Sequence, residues 1–212
     1  MINIKRFTCN MLAENCYVVS DETKQAVIID CGAFYQEGFS GINNYLKTLN
    51  PTHLLCTHGH FDHCMGNGLV YKAYGLKPEV HHEDDFLMEG MAEQTRDILG
   101  VSLPFEVPPV GRYFSDDDTI TFGSHELKIL HTPGHTPGGV VFYCKSEQVA
   151  FTGDTLFRMS IGRTDFERGS YEQMMTSLKH LKQALPGNTK LYPGHGPESL
   201  MADETMYNPY FK

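Results

Sequence analysis

The chain has 212 residues, 41% of them hydrophobic and 20% charged, with 17 Lys and Arg against 26 Asp and Glu for a formal charge of −9. That length suits one domain with a sizeable buried core and leaves no room for two of ordinary size. An excess of acid repels phosphate backbones, which argues against nucleic-acid binding as the main activity.

Short β-branched or alternating segments predict strands over residues 2–7, 16–20 and 26–30, followed by a helix over 35–49. A strand over 53–56 leads into the densest histidine segment, and helical spacing follows over 65–74 and 83–98. The run Asp116-Asp117-Asp118 reads as a solvated turn between strands. Strands over 119–122, 127–131, 140–144 and 149–152 come next, then a helix over 171–185, a strand over 191–192 and a short helix from Leu200. Strand runs flanked by helices fit a layered α/β sandwich, sheets inside and helices outside, as one domain over 1–212.

The first residues, Met1 to Arg6, carry no basic head and apolar signal core, and no apolar run approaches the roughly 20 residues that cross a bilayer. A cytoplasmic protein with no membrane partner is expected. Its six cysteines, Cys9, Cys16, Cys31, Cys56, Cys64 and Cys144, form no C-x-x-C pair and are expected as free thiols.

Histidine occurs eleven times, and it is the commonest metal ligand. Thr57-His58-Gly59-His60-Phe61-Asp62-His63 directly follows the apolar strand over 53–56 and gathers His58, His60, Asp62 and His63 at one strand end. Imidazole nitrogen with carboxylate oxygen is the donor set for Zn²⁺, Fe or Mn²⁺. One loop cannot complete two coordination spheres. Three later segments have the right character, each with His or Asp in a turn at a predicted strand end: His131-Thr132-Pro133-Gly134-His135, Thr152-Gly153-Asp154-Thr155 and Tyr192-Pro193-Gly194-His195-Gly196. Gly and Pro fix tight turns there and allow close backbone approach. His81 and His82 precede an acidic helix start and invite at most adventitious metal, while His53, His125, His131 and His180 read as packing or surface residues. Met88, Met91, Met174 and Met175 read as core filler.

The order His-x-His-x-Asp-His, Pro-Gly-His, Gly-Asp, Pro-Gly-His resembles the metallo-β-lactamase superfamily of hydrolases. Within it the chain is most similar to the compact type II glyoxalase II (hydroxyacylglutathione hydrolase) group, through Ser160-Ile161-Gly162-Arg163-Thr164-Asp165 and the closing Asn208-Pro209. The resemblance implies a four-layer αββα sandwich and two divalent metal ions, Zn²⁺ with Fe or Mn as alternatives. His58, His60 and His135 would bind one ion, Asp62, His63 and His195 the second, and Asp154 would bridge them. The implied chemistry is hydrolysis of a thioester such as S-lactoylglutathione by hydroxide held between the ions, with Asp62 orienting the hydroxide beside the bridging Asp154. An acidic residue at 154, where class B β-lactamases use cysteine, speaks against antibiotic hydrolysis. His60 differs from the Glu of flavodiiron relatives.

Two metals at about +4 against two carboxylates and hydroxide at about −3 leave the centre near +1, which suits an anionic substrate. Arg163 falls where the family places a cation that contacts glutathione, with Arg158, Tyr192 and Tyr143 as weaker candidates. Two departures stand out. Lys212 lies 17 residues past His195, so the helical C-terminal domain of the larger enzymes is missing, and Asp165 replaces an expected aromatic. Another subunit or the insertion over 75–110 would supply the rest of the pocket. The competing readings are a mononuclear iron persulfide dioxygenase, using His58, His135 and Asp154 and sharing the stretch 162–166, and a non-enzymatic metal-binding module.

Overall fold

A computed structural model describes every residue of the chain except Phe105 and Asp117. The second strand, β2 (Glu14–Ser20), is buried along its whole length and so is covered on both faces. It pairs antiparallel with β1 (Asn3–Cys9) and β3 (Gln25–Ile29). From β3 the sheet continues in parallel through β4 (Asn50–Leu55), β5 (Pro78–His81) and β6 (Arg112–Phe114). The second sheet has the order β14-β13-β10-β9-β8-β7, from β7 (Thr119–Phe122), β8 (His125–His131), β9 (Val140–Cys144), β10 (Val149–Gly153), β13 (Lys190–Pro193) and β14 (Ser199–Leu200). A small hairpin of β11 (Leu156–Phe157) and β12 (Ser160–Ile161) stands apart.

Alternation along the strands divides the apolar residues into three layers. Tyr17, Val19, Val27 and Ile29 of the first sheet meet Ile120, Phe142 and Phe151 of the second. Val18, Ile28 and Leu54 face the other way, onto Phe39, Ile42 and Leu46 of α1 (Tyr35–Leu46). On the far side Val141, Ala150 and Leu191 pack against Met174, Leu178 and Leu181 of α6 (Tyr171–Ala184). The result is the αββα order.

Several boundaries differ from the sequence reading. The strands β5 and β6 are only four and three residues long, open on Pro78 and Arg112, and carry too little periodicity to be read alone. The helix expected over 65–74 is α3 (Asn67–Tyr74), and an additional short helix, α2 (Phe61–Cys64), precedes it, so the histidine motif itself enters a helix. The helix expected over 83–98 divides at Gly90 into α4 (Asp85–Glu89) and α5 (Met91–Leu99), after a 3₁₀ turn at His82–Asp84. The expected acidic turn is the crossing from the first sheet to the second: Ser115 N–H donates to Asp118 Oδ2 at 3.0 Å, while Asp117 lies outside the described residues. All six cysteines are free and buried. Among the described residues no helix is long and apolar enough to cross a membrane.

Candidate metal centre

Strands β8, β10 and β13 of the second sheet run the same way, and the loops after them meet the loop after β4 of the first sheet. The residues singled out in the sequence follow those ends: 58–63 after β4, His135 after β8, Asp154 after β10 and His195 after β13. A rigid scaffold thus delivers separate loops to one point. His60 caps the N-terminus of α2, which turns Asp62 and His63 back toward it.

The seven residues form two interlocking groups. His58, His60 and His135 place ligand atoms within 4.8 Å of one another, and so do Asp62, His63 and His195. His60 Nδ1 lies 2.9 Å from His135 Nε2, and His63 Nε2 lies 3.3 Å from His195 Nε2. Asp154 spans both groups: Oδ1 is 3.4 Å from His63 Nε2, and Oδ2 is 3.5 Å from His135 Nε2 and 3.7 Å from His195 Nε2. Donors on a tetrahedral ion with bonds near 2.0–2.1 Å sit about 3.3 Å apart, so the spacing suits a metal.

The outer edges of the rings decide which nitrogen faces inward. His135 Nδ1–H donates to the Arg163 carbonyl at 2.7 Å, and His195 Nδ1–H to the Leu12 carbonyl at 3.1 Å. His63 Nδ1–H donates to Asp30 Oδ2 at 3.0 Å. Thr57 Oγ1–H donates to the same carboxylate at 2.7 Å, so the hydroxyl accepts from His58 Nδ1–H at 3.1 Å. Each of these rings therefore turns its Nε2 toward the centre, and such outer partners raise ligand basicity. His58 Nε2 and Asp154 Oδ1 are buried with no hydrogen-bond partner. Buried polar atoms without partners are costly, and a divalent ion resolves them together. The donor set fits the implied metals.

Electrostatics point the same way. Burial holds the His60 imidazole down to about 3, with His135 adding to it, and burial also lowers His58. Burial raises the Asp154 carboxyl, but the nearby charge of His63, with His135 and His195, outweighs it and holds it well below the usual range. The Asp154 and Asp62 carboxylates in turn push His63 up against its burial, so a proton and a cation compete for that edge.

Glycines let the loops close. A Cβ on Gly194 would lie 2.6 Å from His63 Cε1, and one on Gly162 would overlap the Asp154 carbonyl oxygen.

A cavity of about 320 Å³ opens over the centre, walled by Leu12, Phe61, Ile98, Phe157 and Phe166 and reaching Arg163. Ile98 belongs to the insertion over 75–110, and Gln94 of the same helix accepts the Phe61 N–H at 3.0 Å. Arg158, Tyr192 and Tyr143 are not among the described residues of this wall. Arg158 lines a separate groove with Lys190, Tyr192 packs on Tyr17 and Phe151, and Tyr143 lies in the layer under α6. Sequence reasoning missed Asp30, Asn10 and Asp84. Asn10 Nδ2 donates to the carbonyls of Asp62 and Gly32 at 2.8 and 2.9 Å. Asp84 accepts from Gly59 N–H, Thr136 Oγ1–H and Gly138 N–H, tying the His58–His60 loop to the His135 loop. Of the histidines read as background, His180 is exposed, and three others have partners far along the chain. His53 lies 2.6 Å from Glu79, His125 3.0 Å from Glu147, and His131 stacks on His81 with ring centres 4.2 Å apart.

Residues 10–195 match the sequence model of the metallo-β-lactamase superfamily. The chain belongs to that superfamily. It is 33% identical over 211 residues to the hydroxyacylglutathione hydrolase GloC of Haemophilus influenzae, covering 99% of this chain and 98% of that protein. Among solved structures it is similar to the BLEG-1 B3 metallo-β-lactamase, with a TM-score of 0.90 at 30% identity over 99% of this chain and 100% of the other. It is also similar to TTHA1623 in a di-iron-bound form, with a TM-score of 0.86 at 34% identity over 97% and 99% of the two chains. The metallo-hydrolase chemistry of the superfamily and its α/β sandwich therefore apply here.

Proposed function

We propose that residues 1–212 form one catalytic unit, a metal-dependent hydrolase of acyl thioesters. The observation that carries the reading is the convergence of five imidazoles and two carboxylates, with the outer edges of His58, His63, His135 and His195 already hydrogen-bonded. His58, His60 and His135 would hold one divalent ion and Asp62, His63 and His195 the other, with Asp154 reaching both. Ions bound there supply a water acidic enough to ionise near neutral pH and a positive charge for the carbonyl oxygen. Asp62, with its main chain pinned by Asn10, orients that water through its carboxylate. Leu12, Ile98, Phe157 and Phe166 exclude bulk solvent and receive the apolar part of the substrate. No serine or cysteine is among the described residues of the cavity wall, so attack by water rather than by a side chain is the chemistry these groups support. The likeness to GloC over nearly the full length of both chains supports thioesters as the substrate class.

The test pairs elemental analysis with three assays on metal-loaded protein: loss of S-lactoylglutathione absorbance, cleavage of a chromogenic β-lactam, and oxygen uptake with glutathione persulfide. About two metals per chain and thiol release support the reading. One iron with oxygen uptake overturns it in favour of a dioxygenase. Preferential β-lactam cleavage overturns it too: given the likeness to a B3 enzyme, Asp154 does not by itself exclude that activity.

A further inference from the structure

Among the described residues the one Arg or Lys at the cavity mouth, Arg163, is already paired with a carboxylate. Arg163 Nε and Nη2 donate to Asp165 Oδ1 and Oδ2 at 2.6 and 2.7 Å, a bidentate pair, and the guanidinium carbon lies 4.2 Å from the centre of the Phe166 ring. The Arg163 guanidinium holds the Asp165 carboxyl below the usual carboxylate range, so the pair stays ionised at neutral pH. The bidentate geometry and the stacking hold the side chain between Asp165 and the Phe166 ring.

Beyond this pair the wall is acidic. A groove of about 570 Å³ shares His60, Ile98 and Phe166 with the cavity and carries Glu93, Asp97, Asp165 and Glu167. Its one cation among the described residues, Arg168, lies over the Phe86 ring at 4.0 Å and 3.6 Å from Glu167. Arg96 sits 3.9 Å from both Glu93 and Asp97. Even with Arg96 and Arg163 counted, carboxylates outnumber guanidiniums along this path. The metals draw a carbonyl inward, but the arm that trails out of the cavity crosses an acidic wall. A glutathione arm, with two carboxylates and one ammonium, is mismatched to it.

We propose that this site selects thioesters whose thiol-side arm carries no net negative charge, and that Asp165 sets the selectivity by neutralising Arg163. The proposal rests on the thioesterase reading above. An exposed pair of this kind alters affinity for a competing anion by about twofold to fivefold.

Three lactoyl thioesters separate the outcomes: those of glutathione (anionic), N-acetylcysteamine (neutral) and thiocholine (cationic). Each is assayed with metal-loaded wild type, Asp165→Ala and Arg163→Ala/Asp165→Ala at low ionic strength. In wild type, kcat/KM should be lowest for the glutathione ester, and the spread should shrink in high salt. Asp165→Ala should raise the ratio of glutathione to N-acetylcysteamine activity about twofold to fivefold, and the double variant should return it. Asp165 is exposed, so the change should leave the fold intact. A wild-type preference for the glutathione ester, or an unmoved ratio in Asp165→Ala, overturns the proposal. If no thioester is cleaved by any of the three proteins, the thioesterase reading itself fails.

Discussion

Replacing Asp84 by alanine should loosen both metal loops at once. Its carboxylate is fully buried and accepts from Gly59 N–H at 2.9 Å, Thr136 Oγ1–H at 2.8 Å and Gly138 N–H at 2.6 Å. Burying a carboxylate is costly, so an apolar replacement of the whole network is often neutral. Alanine does not replace the network, however, because it leaves two backbone N–H groups and a hydroxyl buried without an acceptor. At roughly 1–3 kcal/mol for each stranded donor, and with partial relaxation, the loss is about 4 kcal/mol. For a chain of this size that lowers Tm by about 8–16 °C. Metal affinity should fall about 10–100-fold, since His60 and His135 lose their common anchor. Thermal unfolding in chelator gives the first quantity, and competition with a chromophoric chelator gives the second. Asp84→Asn should be intermediate, because its amide turns a donor toward a donor. An alanine variant that unfolds within 2 °C of wild type and binds metal unchanged would refute the reasoning.

Metal removal should destabilise the protein, since the loops of both sheets meet at the centre. Ion at about a thousand times Kd contributes about 4 kcal/mol per site, so calorimetry of chelated against loaded protein should show a Tm lower by at least 8 °C. An unchanged Tm would refute this. Gly162→Ala drives a methyl group into the Asp154 carbonyl and to 3.2 Å from His135 Nδ1. It should reduce kcat/KM about a hundredfold through misplacement of the centre, with metal content falling in the same preparation. Asp21 accepts hydrogen bonds from the N–H and hydroxyl groups of Thr23 and Ser124, which outweigh its burial and hold its pKa well down. A depressed carboxyl stabilises above its unfolded value near 3.9 and loses that contribution as pH falls through the folded value. Asp21→Asn should therefore be less stable at pH 7, with a flatter urea midpoint between about pH 4 and pH 2. Parallel profiles for the two proteins would refute it.

How much of this was legible in the sequence depended on whether a feature was local. His58, His60, Asp62 and His63 crowd one loop, and His135, Asp154 and His195 each stand beside glycine at a strand end. Their proximity could be anticipated from seven positions and a resemblance. Asp30 and Asp84 were invisible because a lone Asp before an ordinary segment carries no periodic signal; their role appears only when β3, β4 and the 82–84 turn come together. The Arg163 carbonyl could not be found at all, since every residue has one. Strands β5 and β6 were missed because parallel pairing, not alternation, makes them strands. The break at Gly90 was missed because apolar spacing continues across it. The pairing of Arg163 with Asp165 lay two residues apart in plain view. Its meaning depended on Phe166 beneath it and the acidic groove beyond, which sequence spacing does not reveal.

The stretch from Gly162 to Phe166 divides its labour by chemical type. Its main chain fixes the tautomer of His135, and any amino acid at 163 offers the same carbonyl. The side chains of Arg163 and Asp165 are exposed and can be exchanged without removing that carbonyl. On the proposed reading, selectivity at this position is therefore separable from the metal centre, since exchanging two exposed side chains leaves the bond that orients His135 in place.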